Sequence, residues 1–148
     1  MGLKPLVIAI SFYCLSSLSL AQTSYAVADE PAYLARIELH TAAELYALLQ
    51  RSEQLFMLSQ QTQAVPVAFV LHGPEAEVFF RGQYSRHQNL VDLAAKLSAF
   101  NVVEIKVCKT WMAAHRLDEQ QLLPFVGTVH LGPAEEQRLL NQQGYNYF

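Results

Sequence analysis

Cys108 ends the apolar run Val102 to Val107 and is followed by Lys109-Thr110-Trp111-Met112, so a thiol falls where a buried strand passes into a helical turn. At such a junction, unpaired backbone amides and the positive end of the helix dipole stabilise thiolate over thiol. Lys109, with Lys106 behind it, adds positive potential, and a thiolate so placed can carry a persulfide or attack an electrophile. The competing reading is a small buried hydrophobe at a strand end, the commonest fate of a free cysteine. His72 and Gly73 belong to a second strand-end loop, His72-Gly73-Pro74, where the imidazole would hydrogen-bond a ligand, tune the thiol or serve only as a satisfied structural histidine. His115 falls seven residues after Cys108, two helical turns on, and reads as a surface or subunit contact. His40, His72, His87, His115 and His130 show no ligand-pair spacing and one cysteine cannot supply a zinc set, so neither metal nor cofactor is expected. Gly-rich phosphate loops, Gly-x-Gly-x-x-Gly and a serine nucleophile elbow are all missing, which lowers the familiar nucleotide enzymes and hydrolases.

The compartment sharpens the interest in the thiol. Lys4 followed by the uncharged, largely apolar run Pro5 to Ala21 has the pattern of a secretory signal peptide. Small residues at −3 and −1 fit cleavage after Ala21, Ala26 or Ala28, with Ala26 preferred; residues 1–26 then form the leader and 27–148 one domain, periplasmic or secreted and free of the membrane once cleaved. Cys14 follows Phe12 and Tyr13, unlike a lipid-modified cysteine, and leaves with the leader. Cys108 then becomes the only thiol, and an unpaired cysteine in an exported protein suggests a reactive group or an intermolecular crosslink.

The elements that must position these residues alternate. Residues 33–39 read as a strand, and Thr41 with Glu44 as a capping box opening a helix to about residue 60, with Leu45, Leu48, Leu49 and Leu55 inward. Val65 to Leu71 reads as a strand covered on both faces, and Glu75 to Tyr84 as a short helix and loop. Residues 86–100 form an amphipathic helix with Leu90, Val91, Ala94, Leu97 and Phe100 on one side. Then come a strand at Val102 to Val107, a helical turn after Cys108, a short strand within Pro124 to Val129, and a helix from about Ala134 to Gln143 stopped by Gly144. Tyr145 to Phe148 would add an edge strand or pack against a second subunit. Strands and helices in this rhythm imply a parallel sheet with helices on both faces, and a site beyond the carboxyl ends of the strands.

Composition agrees with one compact core: of 148 residues, 52% are apolar and 16% charged. The net charge is −3 and the 10 basic residues are scattered, so no nucleic-acid partner is expected.

Three segments carry a family likeness: Val67 through Glu75; Leu93-Ala94-Ala95-Lys96-Leu97 through Val107-Cys108-Lys109; and Leu122 through Val126, continuing from Gly132 to Tyr147. On these the chain resembles the DsrE/DsrF-like family of sulfur-relay proteins. The resemblance implies a flavodoxin-like three-layer α/β/α fold around a mainly parallel sheet of about five strands, assembled into trimers or hexamers. It implies further that Cys108, matching the family's sulfur-accepting cysteine after the third main strand, bears sulfane sulfur as a persulfide and exchanges it with donor and acceptor proteins. The leading expectation is a periplasmic sulfur carrier or sulfurtransferase-like protein with catalytic Cys108 and binding residues His72, Gly73 and Lys109. The alternative is a non-catalytic small-ligand-binding or assembly module of the same fold.

Overall fold

The computed structural model describes residues 31–58 and 65–148; the signal-peptide reading falls on residues outside them. The chain runs β1 (Tyr33–Leu34), α1 (Ala42–Leu58), β2 (Val67–Leu71), α2 (Gln88–Ala99), β3 (Val103–Cys108), α3 (Lys109–Ala114), β4 (Gly127–Val129), α4 (Gly132–Gln142) and β5 (Asn146–Tyr147). The five strands form one sheet in the order β4-β3-β2-β1-β5, and all its pairings are parallel. This is an α/β fold of flavodoxin-like three-layer architecture.

Strand order dictates which face each helix covers. From β1 to β4 the chain steps sideways in one direction, and right-handed crossovers put the intervening helices on one face. After β4 it returns to the opposite edge to form β5, and the same handedness puts α4 on the other face. Side chains along β2 and β3 sort accordingly. Val67, Phe69, Leu71, Val103, Ile105 and Val107 join the large apolar cluster beneath α1 and α2. Ala68 and Val70 join a small one with Leu34 and Leu139 beneath α4.

Local differences from the sequence reading have local causes. The first strand stops at Leu34 rather than continuing to residue 39, because the amides of Glu38 and Leu39 donate to the Glu44 carboxylate at 2.8 and 2.9 Å. Glu44 is thereby diverted from its half of the capping box, while Thr41 Oγ1 still accepts from the Glu44 amide at 3.2 Å. The segment after β2 folds as two 3-10 turns, Pro74–Phe79 and Arg81–Arg86, parted at Phe80 by a bridge to Leu122. Phe100 does not join its helix's apolar face; it caps α2 and stands 64% exposed. The final strand forms as an edge, β5 pairing with β1, and Gly144 at φ +69° lets the Tyr145 amide turn back to Leu139 O at 3.1 Å.

Candidate functional site

In an open parallel sheet, the crevice for a ligand opens where neighbouring strands send their carboxyl-end connections to opposite faces. Here that point lies between β3 and β4. The chain leaves β3 into α3, whose Trp111 and Met112 pack into the large cluster, and leaves β4 into α4 on the other face. Cys108 is the last residue of β3, and His130 to Gly132 join β4 to α4.

The sulfur is held by that junction. Sγ accepts from the Gly132 amide at 3.2 Å and faces the His130 carbonyl at 3.9 Å. The same carbonyl accepts from Thr110, its amide at 3.3 Å and its hydroxyl at 2.8 Å, so the first turn of α3 is tied to the end of β4. Cys108 is 2% exposed.

His72 stands beside it. Leu71 and Val107 are register partners, so the next residues on each strand, His72 and Cys108, face each other across the ladder on the α4 side. Gly132 fills the space between: a methyl group there would lie 2.9 Å from His72 Cβ, 3.2 Å from His72 Cδ2 and 3.3 Å from Cys108 Cβ. The glycine is thus required by close approach. His72 Nε2 lies 3.3 Å from Glu136 Oε1 on α4. That hydrogen bond raises the His72 pKa above its ordinary value; partial burial opposes the shift, and the negative charges of Glu136 and Glu75 reinforce it.

A second histidine and a second carboxylate complete the cluster. Glu75, fully buried, accepts from the His72 amide at 3.1 Å and the Gly73 amide at 3.0 Å through Oε1, and its Oε2 meets His40 Nδ1 at 2.9 Å. Gly73 makes this possible, since a Cβ there would come within 2.5 Å of both Glu75 Oε2 and His40 Nδ1. His40 sits in the left-handed region at φ 51°, and its ring meets the His72 ring edge-on with centroids 5.0 Å apart. Two histidine–carboxylate pairs therefore touch at the carboxyl ends of β1 and β2, next to the sulfur.

Of the sequence-predicted residues, Cys108, His72 and Gly73 come together. Lys109 does not join them through its charge: its Nζ is paired with Glu119 at 2.9 Å, and Lys106 Nζ with Glu104 at 2.9 Å, so each ammonium is bound to a carboxylate of its own. His115 lies on the surface, its ring stacked on Trp111 at 4.4 Å. Sequence reasoning missed His40, Glu75 and Glu136. Each had a positional signal: His40 precedes the Thr41 cap, Glu75 follows the strand-end glycine, and Glu136 lies in the first turns of a helix starting from the same edge. Among the described residues, no group of three or more His, Cys, Asp or Glu has metal-holding geometry, and no helix is long and apolar enough to cross a membrane.

Fold and site define a class: a parallel α/β protein that gathers a thiol and two histidine–carboxylate pairs at the carboxyl edge of its sheet. No protein-family model matches the chain, and no curated protein matches it. Among solved structures it is similar to that of a protein of unknown function, MTH1491 from Methanobacterium thermoautotrophicum, with a TM-score of 0.65 and 18% identity over 80% of this chain and 98% of that one. The likeness is one of fold.

Proposed function

We propose that the protein is an exported sulfur carrier of the sulfurtransferase type, related to the DsrE/DsrF-like relay proteins, in which Cys108 accepts sulfane sulfur as a persulfide. One observation carries the reading: the chain's only described cysteine ends β3 at the point where β3 and β4 send their connections to opposite faces, and takes the Gly132 amide on its sulfur at 3.2 Å. A backbone donor aimed at sulfur, with polar side chains on the neighbouring strand end, suits a nucleophile better than a packing residue. Cys108 accepts sulfur from a polysulfide, a low-molecular-weight persulfide or a partner protein and hands it to a second thiol. Export through the amino-terminal leader and assembly into a trimer or hexamer belong to the same proposal.

Burial favours a second reading. Cys108 is 2% exposed and both its contacts are internal, as expected of a packing residue in a small-ligand-binding or assembly module. Incubation with sodium polysulfide followed by intact-mass measurement separates the two. A sulfur carrier gains a sulfur atom, the gain disappears on reduction with dithiothreitol, and Cys108→Ser shows none. An unmodified wild-type chain, or an equal gain on Cys108→Ser, would sink the sulfur-carrier reading.

A further inference from the structure

A thiol that exchanges sulfur must be reached, and Cys108 is 2% exposed. Its side chain lies on the α4 side of β3. There Gly132, the first residue of α4, donates its amide to Sγ at 3.2 Å and comes so close that a methyl group on it would lie 3.3 Å from Cys108 Cβ. The first turn of one helix therefore covers the sulfur, and that helix is thinly anchored. Where α2 buries Leu90, Val91, Ala94 and Leu97, α4 buries Leu139 and the side-chain-free Gly132, with Leu140 partly covered. We propose that α4 is a lid over Cys108, hinged at its two ends and latched by the contact between Glu136 and His72. The lid governs access to the sulfur for any reagent; only its use in sulfur exchange rests on the sulfur-carrier reading above.

Both ends of the lid are pinned to the body. At the front, His130 O accepts from the Thr110 amide at 3.3 Å and from its hydroxyl at 2.8 Å, which fixes the end of β4 to α3. Leu131 follows in extended conformation, 44% exposed and with no side-chain cap on α4, so rotation there frees Gly132 without disturbing β4. At the back, the Asn146 amide donates to Ala32 O at 2.9 Å and holds β5 on β1. Gly144, at φ +69° with open space where a side chain would stand, supplies the second hinge. Between these points, among the described residues, α4 is held by Leu139 against Leu34, Ala68 and Val70, by the Gly132 amide on Sγ, and by Glu136 Oε1 at 3.3 Å from His72 Nε2. So little buried apolar area makes local opening less costly than unfolding of the domain. Opening uncovers Sγ and leaves the large cluster beneath α1 and α2 intact.

Charge on His72 sets the strength of the latch. The groups facing its ring are Glu136 from α4, Glu75 from the turn after β2, His40 from the segment after β1, and Cys108 from the end of β3. The hydrogen bond to Glu136 is the largest cause of the raised His72 pKa, so the imidazolium holds α4 below that pKa and the neutral ring holds it less firmly above. The lid opens more readily as pH rises.

The test is the rate at which dithiodipyridine labels Cys108, located by peptide mass, against the rate for a short peptide carrying the same cysteine at the same pH. The ratio of peptide rate to protein rate, the protection, reports opening and cancels the thiol's own ionisation. Wild type should be protected, yet by less than the folding equilibrium constant from urea unfolding. Leu139→Ala should lower protection about thirtyfold, the low end for such truncations. Ile105→Val, in the large cluster, should lower the folding constant about fivefold and leave protection unchanged. Glu136→Gln should lower protection about threefold at mildly acidic pH and match wild type at mildly alkaline pH. Protection equal to the folding constant, or falling with it in Ile105→Val, would mean that the sulfur is reached only by unfolding and would overturn the lid. A Glu136→Gln chain protected like wild type at both pH values would overturn the latch. Labelling needs no sulfur donor, so the two readings separate. A chain that labels as expected but takes no sulfur from polysulfide keeps the lid and loses the carrier reading; one that loads sulfur but labels only by unfolding does the reverse.

Discussion

On the face beneath α1 and α2, β2 and β3 contribute Val67, Phe69, Leu71, Val103, Ile105 and Val107, all at 2% exposure or less. On the face beneath α4, the same strands offer Ala68 and Val70, then Glu104, Lys106, His72 and Cys108 as α4 moves across to lie over β1 and β2. One face is a continuous apolar layer; the other is a small apolar patch bordered by ionisable groups. Burial of apolar area is the dominant favourable term in folding, so the first face supplies most of the stability. The second tolerates the polar groups and close backbone approaches that a site requires.

Substitutions on the two faces should therefore separate stability from function. The largest expected effect is Phe69→Ala, which empties a fully buried site in the thick layer and should cost about 3–5 kcal/mol in urea unfolding. Leu139→Ala, in the thin layer, should cost about 2 kcal/mol, at the low end for such truncations because fewer neighbours are left facing a cavity. Equal losses at the two positions would contradict the division of labour. Gly132→Ala comes next. Its methyl group would press on His72 Cβ at 2.9 Å and on Cys108 Cβ at 3.3 Å, costing about 1–2 kcal/mol by overpacking. It should also weaken the amide contact to Sγ, so that polysulfide loading slows more than unfolding stability alone would predict; a variant that loads normally would show that the Gly132 amide has no part in the chemistry.

The smallest effect is pH-dependent. The folded pKa of His72 is raised above its unfolded value of 6.5, so its stabilisation is fully present below that value and is lost as pH rises through the folded pKa. Solvent around the imidazole keeps the contribution small. Wild type should therefore exceed Glu136→Gln in urea midpoint by more at mildly acidic pH than at mildly alkaline pH. A gap of the same size at both would show that the ion pair between α4 and the end of β2 adds nothing to the fold.

The period of the apolar residues and the glycine and proline punctuation carried most of the architecture. The run Val67 to Leu71 specified a strand buried on both faces, and the spacing of Leu90, Val91, Ala94 and Leu97 specified one helical stripe. Phe100 shows the limit of that reading, since the helix ended one residue before it. At the site, the sequence singled out Cys108, His72 and Gly73 because each ends a legible strand. Strand order brought in the rest. Nothing in the local pattern indicates that β4 returns over the sheet to the far edge, and only that crossover lays Gly132 on the sulfur and Glu136 on His72. Periodicity is a property of neighbouring residues and can be read along the chain. The partners of the sealed thiol and of the His72 ring lie 22 to 64 positions away, as His130 and Gly132 from Cys108 and Glu136 from His72 do, and are chosen only when the layers close.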